Sequence, residues 1–371
     1  QPLQNTATED GAPVPISDRR ARHLSSLGPQ QARFRELIAK VGSGEHTSTG
    51  LSREEAQEAM ALMLSGSLDP AQLGAFLIAH RIRRPEPQEL TGMLDVYRRR
   101  GPALTSRTPA LCFGMPFDGR SRTAPIYPLT ALVLAAANIP VVLQGSGRMP
   151  VKYGVTGAEL FGSLGLALTG RSLEWVQASL DRCNLALLHQ PDHFPAAEQL
   201  IPYRDEIGKR PPLASLELMW TAHHGPHLLV SGFVHPPTEA RAWAALQLAG
   251  ETNVFTVKGL EGSTDLPINR ACVTARVEAD RKPERLVLHP RDHGCYGADP
   301  AWHSLEQWSQ QALASLGGQG ELAASLRWNA GTYLWQAGVA ASLPQGVEQA
   351  EALLKSGAAL RQLERMRQTL S

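Results

Sequence analysis

Ala110-Leu-Cys-Phe-Gly-Met-Pro-Phe-Asp-Gly-Arg-Ser-Arg122 marks the point where the chain changes texture. Upstream, apolar residues recur at helical spacing, as in Phe34, Leu37, Ile38 and Val41. Downstream, short apolar runs alternate with helical patterns. The runs are Ala110–Phe113, Leu129–Ala137, Val141–Gln144, Leu185–His189, His227–Val234, Asn253–Lys258 and Ala271–Val277. Such alternation predicts α/β units around a largely parallel sheet, with some later strands antiparallel. In open sheets of this kind ligands bind beyond the strand C-termini, which makes the loop from Gly114 onward the first place to look for chemistry.

The 371 residues allow two domains, and 43% hydrophobic with 19% charged residues is ordinary for a globular protein. A net charge of +1 gives no global attraction to nucleic acid or membrane. No apolar run approaches the ~18 residues of a membrane span. Cys112, Cys183, Cys272 and Cys295 lie far apart with no CxxC pair, as in a cytoplasmic protein with reduced thiols. Residues 1–30 lack an apolar signal core and read as a flexible leader with a small basic cluster, Arg19, Arg20 and Arg22.

Within the helical part, Ser52-Arg-Glu-Glu55 is a capping box, and Asp69-Pro70 starts a further helix. Met60, Met63, Leu64, Leu73, Phe76 and Leu77 are many apolar positions for so short a segment, which predicts a homodimer through these helices.

Three stretches carry a resemblance. Leu51-Ser-Arg-Glu-Glu-Ala56, Pro70-Ala-Gln-Leu-Gly-Ala-Phe-Leu-Ile-Ala79 and the run from Arg327 to Leu360 resemble the N-terminal helical domain and C-terminal helical pair of anthranilate phosphoribosyltransferases. In the last run Asn329, Ala337-Gly338, Gly346-Val347 and Ser356-Gly357 fall in register. The resemblance implies a small helical domain, 31–107, joined by a returning segment at about 171–210. A larger α/β domain would then comprise 108–170 and 211–371. It also implies a homodimer, magnesium as cofactor and pentosyl transfer from phosphoribosyl diphosphate to an aromatic acceptor such as anthranilate.

Four loops carry the family's chemistry, and each is altered. Where the family has GTGGD, glycines let backbone N–H groups approach a pyrophosphate. Here Met115, Pro116 and Phe117 interrupt that run, and Pro116 removes a donor. Gly114, Asp118 and Gly119 remain, and Arg120 and Arg122 are added cations suited to phosphate. Where the family has FNIST, Tyr127 and Leu129 replace the Asn and Ser, and only Thr130 is kept. The third loop keeps Gly145, Arg148 and Lys152 of KHGNRSVSSKSG. In the fourth, the family's adjacent Asp and Glu that hold magnesium become Thr264-Asp265, with Glu261 nearby as a second oxygen donor. Arg204 matches a position that would face a substrate carboxylate.

Between Gly101 and Lys152 stand Arg107, Arg120, Arg122, Arg148 and Lys152 against one acid, Asp118. This excess predicts one basic rim at the sheet's C-terminal edge and an anionic partner. The departures resemble the YbiB-type branch of the family, which has lost the phosphoribosyl-diphosphate signature and is associated with nonspecific nucleic-acid binding. Two functions follow. One is binding of nucleic acid or a phosphorylated ligand without standard activity. The other is true phosphoribosyl transfer, with Arg120, Arg122, Lys152 and Asp265 stabilising the departing pyrophosphate. His223, His224 and His227 form one histidine cluster, and His289, His293 and Cys295 another, the latter a weak zinc candidate. Trp302, Trp308, Trp328 and Trp335 read as core packing rather than a base-stacking platform.

Overall fold

A computed structural model describes residues 26–371. The basic cluster Arg19, Arg20 and Arg22 and most of the expected leader lie outside the described residues. A helix already begins at Pro29, just inside the expected leader.

Helices Pro29–Gly42, Arg53–Leu64, Pro70–Arg83 and Pro87–Arg100 form the N-terminal bundle. The capping box closes as the sequence requires. The Glu55 amide donates to the Ser52 hydroxyl at 3.0 Å, and the Ser52 amide donates to the Glu55 carboxylate at 3.1 Å. Met60, Met63, Leu64, Leu73, Phe76 and Leu77 are all buried within the chain, packed with Phe34, Leu37 and helices that return from the second half. These positions therefore leave no unsatisfied apolar surface of the kind expected to drive a dimer, because the protein's own later segments cover it.

The sheet strands are β1 (Ala110–Gly114), β2 (Val141–Gly145), β3 (Leu185–His189), β4 (His227–Gly232), β5 (Asn253–Val257), β6 (Cys272–Glu278) and β7 (Glu284–Leu288). They form one seven-stranded sheet in the order β3-β2-β1-β4-β5-β6-β7. The first five are parallel; β6 pairs antiparallel with β5, and β7 antiparallel with β6. β7 escapes the sequence reading because it is mostly solvent-facing and carries no long apolar run. The run Leu129–Ala137 is not a strand. It lies in the helix Tyr127–Ala136, which is buried on every side, and an all-apolar segment of that length has no period to betray it.

Side-chain alternation along β1 divides the interior into two cores. Leu111 and Phe113 face one, filled by Tyr127–Ala136 and the C-terminal helices. Ala110 and Cys112 face the other, shared with the helical bundle. The segment expected to return at about 171–210 is split between these roles. Leu185–His189 is a sheet strand, whereas Phe194 and Leu200 pack into the bundle core, with Phe194 against Tyr97 at 5.1 Å between centroids.

Helices Ala323–Gln336 and Leu343–Lys355 form the C-terminal pair. A Cβ on Gly346 would meet the Gly331 carbonyl oxygen at 2.2 Å, so only glycine permits this crossing. Asn329 fixes the pair to the fourth loop: its side chain accepts from the Leu266 amide at 2.8 Å and donates to the Leu266 carbonyl at 3.2 Å. Trp308 and Trp328 are buried in the same core, as packing residues. No helix among the described residues is long and apolar enough to cross a membrane.

Candidate functional site

The altered loops converge at the C-terminal ends of β1, β2, β4 and β5, beside the helical bundle. Gly114 ends β1 under the backbone of the helix Leu213–Met219, where an added Cβ would meet the Leu218 carbonyl oxygen at 2.0 Å. This close approach ties the first loop to that helix. The Met115 amide donates to the Glu217 carbonyl at 3.1 Å, and the Phe117 amide to the Glu217 carboxylate at 3.0 Å. Gly119 donates to the Pro116 carbonyl, and Arg120 to the Val155 carbonyl. The amides of Met115, Phe117, Gly119 and Arg120 are thus already spent on protein acceptors. Glu217 sits on the loop as an internal anion.

Arg204 faces no open substrate site. It is 2% exposed and ion-paired with Glu217. Burial raises the Glu217 pKa, and the Arg204 charge and hydrogen bond oppose that rise. The void left among Met115, Phe117, Gly119, Arg120, Tyr127, Gly145 and Ser263 is about 20 Å³, room for about one water rather than a phosphate.

The acid pair is occupied as well. Arg120 is 2% exposed, and its guanidinium lies between Asp265 at 2.5 Å and Glu261 at 3.1 Å. It also donates to the Ser263 and Thr123 hydroxyls, at 3.0 and 2.7 Å. Lys152 reaches Glu261 at 3.1 Å. Burial tends to raise the Glu261 pKa, but the Arg120 charge and the hydrogen bonds from Thr123 and Ser121 outweigh it and hold this carboxyl far below its usual range. Glu261 and Asp265 do come together as read from the sequence, but around a guanidinium. A magnesium ion does not fit this donor set, since its two carboxylates are already neutralised by a fixed cation.

The single basic rim is likewise corrected. Arg120 is buried, Lys152 is bonded to Glu261, and Arg148 pairs with Glu159 at 3.0 Å. Arg122 is the most exposed of the four, at 77%, and lies at the outer limit of an ion pair with Glu261, 3.9 Å away. Asp118 is paired with Arg210 at 2.6 Å. Thr130 is buried in its helix, and its hydroxyl has no hydrogen-bond partner among the described residues.

Sequence reading missed the larger opening. Between the bundle and the α/β domain lies a cleft of about 1000 Å³. Arg81 and Arg84 line it from the bundle, and Arg122, Lys152, Arg210 and Arg241 from the other side. Besides the buried Arg204, six cationic side chains line this cleft against three carboxylates, Asp118, Glu217 and Glu261, each held in an ion pair. Only Arg122 and Lys152 fall in the basic stretch singled out from the sequence; the other cations lie far from it along the chain.

The model of the glycosyl transferase family's helical bundle domain matches residues 35–101, and that of its α/β domain matches residues 120–360. The chain belongs to this glycosyl transferase family. An anthranilate phosphoribosyltransferase of Azorhizobium caulinodans is 28% identical over 352 residues, covering 90% of this chain and 96% of the relative. One of a Polaromonas species is 26% identical over 359 residues, covering 94% and 99%. Among solved structures, the anthranilate phosphoribosyltransferase of Thermus thermophilus superposes with a TM-score of 0.74 at 26% identity, over 90% of this chain and 98% of that one. The Saccharomyces cerevisiae enzyme, solved with phosphoribosyl diphosphate and magnesium, shares the fold with a TM-score of 0.78 at 16% identity, over 94% and 99%.

Proposed function

We propose that this chain binds a phosphorylated small molecule in the interdomain cleft, through side-chain cations and without magnesium, and that standard anthranilate phosphoribosyl transfer is absent or very weak. The observation that carries this reading is a double replacement. Glu217 accepts from the loop that would cradle pyrophosphate, and Arg120 sits on the carboxylates that would hold the metal. What remains for an anion is the wider cleft, where Arg81, Arg84, Arg122 and Arg241 present charge. Arginine suits phosphate because its planar fork donates in pairs. Nucleic acid is the less supported partner, because the rim expected to track its backbone is largely consumed in internal ion pairs.

A second reading, pentosyl transfer from phosphoribosyl diphosphate to an aromatic acceptor, is favoured by the kinship. Relatives named for that activity align across nearly their whole length. Under it, binding energy from the cleft cations would orient the donor, and charge stabilisation would carry the step. A homodimer and a cytoplasmic location accompany either reading, on the strength of family membership alone.

A thermal-shift titration separates the readings. Phosphoribosyl diphosphate, ribose 5-phosphate and single-stranded DNA are each added with and without magnesium. The first reading expects stabilisation by the phosphorylated sugars that is unchanged by magnesium, and that falls about tenfold in affinity for Arg122→Ala. Binding that requires magnesium supports transfer. Stabilisation by DNA alone returns the nucleic-acid reading.

A further inference from the structure

Opposite the cleft, near the N-terminal ends of β1 and β4, a second cluster has no part in the function above. Register builds it. Ala110 pairs with His227, and Cys112 with Leu229, so Cys112 and His227 project from the same sheet face on adjacent strands. His223, four residues before His227, reaches back over that face. Cys112 and His223 are buried, at 0% and 1% exposure. The Cys112 sulfur and one nitrogen from each histidine all lie within 4.8 Å of one another.

Hydrogen-bond accounting fixes which nitrogens are bare. The Ser106 hydroxyl donates its one proton to the Thr108 carbonyl at 2.6 Å. His223 Nε2, 2.7 Å from the same hydroxyl oxygen, must therefore be its donor. His227 Nε2 lies 2.8 Å from the Glu251 carboxylate and donates there. Each ring then turns Nδ1 inward, and the two Nδ1 atoms face each other at 3.2 Å. Two facing lone pairs beside a thiol need something positive between them.

We propose that Cys112, His223 and His227 form a binding site for a borderline-soft divalent cation of the zinc class, independent of the cleft. The donors are one sulfur and two imidazole nitrogens, a zinc set. The 3.2 Å between nitrogens suits two vertices of a tetrahedron whose metal–nitrogen bonds are about 2.0–2.1 Å. Both outer nitrogens are anchored, one by a carboxylate and one by a hydroxyl, as metal-bound histidines require. Binding replaces the thiol proton of Cys112: the S–H bond breaks, a sulfur–metal bond forms and the proton leaves to solvent. Three protein donors leave a fourth position for water. The competing occupant is a proton shared between the two Nδ1 atoms.

The test uses the full chain, reduced and freed of metal, and titrated with cobalt(II) as a spectroscopic stand-in. The expected result is a thiolate-to-cobalt charge-transfer band that saturates at one cobalt per chain and is displaced by zinc. Cys112→Ser removes the band, and His224→Gln, a neighbour outside the donor set, keeps it. Glu251→Gln weakens binding by roughly 10–100-fold. If Cys112→Ser does not fold, His223→Gln is read instead, by loss of zinc stoichiometry in the purified protein. A folded wild-type chain that shows no cobalt–thiolate band and no zinc-dependent thermal shift at micromolar metal overturns the proposal, and the shared proton is then the occupant.

Discussion

Arg120 Nη1 lies 2.5 Å from the Asp265 carboxylate with both side chains almost fully buried, so the acid read from the sequence as a magnesium ligand is held by an internal arginine. Removing one partner of such a pair leaves an uncompensated buried charge. Arg120→Ala should cost about 3–5 kcal/mol in chemical denaturation. It should also unmask Asp265 and Glu261, so that millimolar magnesium raises the melting temperature of the variant but not of the parent. Equal responses to magnesium in the two proteins would count against an internal cation at this position.

Glu217 and Arg204 form the complementary pair, on the first loop. Each single change, Glu217→Leu or Arg204→Met, should destabilise by about 3–5 kcal/mol, whereas the double change should cost far less, because two apolar side chains need no partner. A double-mutant cycle by urea unfolding reads the coupling. Additive losses would mean that the two charges do not depend on each other.

The Glu261 carboxyl sits well below its ordinary value of 4.5 in the folded chain. A depressed carboxyl stabilises the fold fully above the unfolded value and loses that contribution as pH falls toward the folded one. Urea midpoints should therefore drop as pH is lowered from about 5 to about 3. Glu261→Gln should flatten part of that slope while lowering stability at neutral pH. An unchanged slope in the variant would place the acid sensitivity elsewhere.

The C-terminal pair tests the fold. Gly346→Ala puts a methyl against the Gly331 carbonyl, so the helices must part. A loss of about 1–3 kcal/mol is expected, with the cleft unchanged. A neutral substitution would mean that the crossing has slack.

What the sequence disclosed follows from range. Capping at Ser52 and the apolar runs of the five parallel strands are local in sequence and were legible, whereas the C-terminal pair was read from its resemblance alone. Arg120, Arg148 and Lys152 were read as cations, but not as partners of Glu261, Asp265 and Glu159. A salt bridge spanning 141 residues, as from Arg120 to Glu261, has no local trace. Likewise Cys112 was read as an isolated thiol. Only the register of β1 on β4 brings it beside His227.

In the function we propose, the chain keeps the family's frame while Glu217 and Arg120 fill the donor site. The most direct test is turnover of phosphoribosyl diphosphate and anthranilate with saturating magnesium, followed by product fluorescence. The account expects a rate roughly a thousandfold or more below the ~10 per second of ordinary enzymes. A rate within about tenfold of that value would contradict it, since Glu217 and Arg120 would then have to yield their places to the substrate.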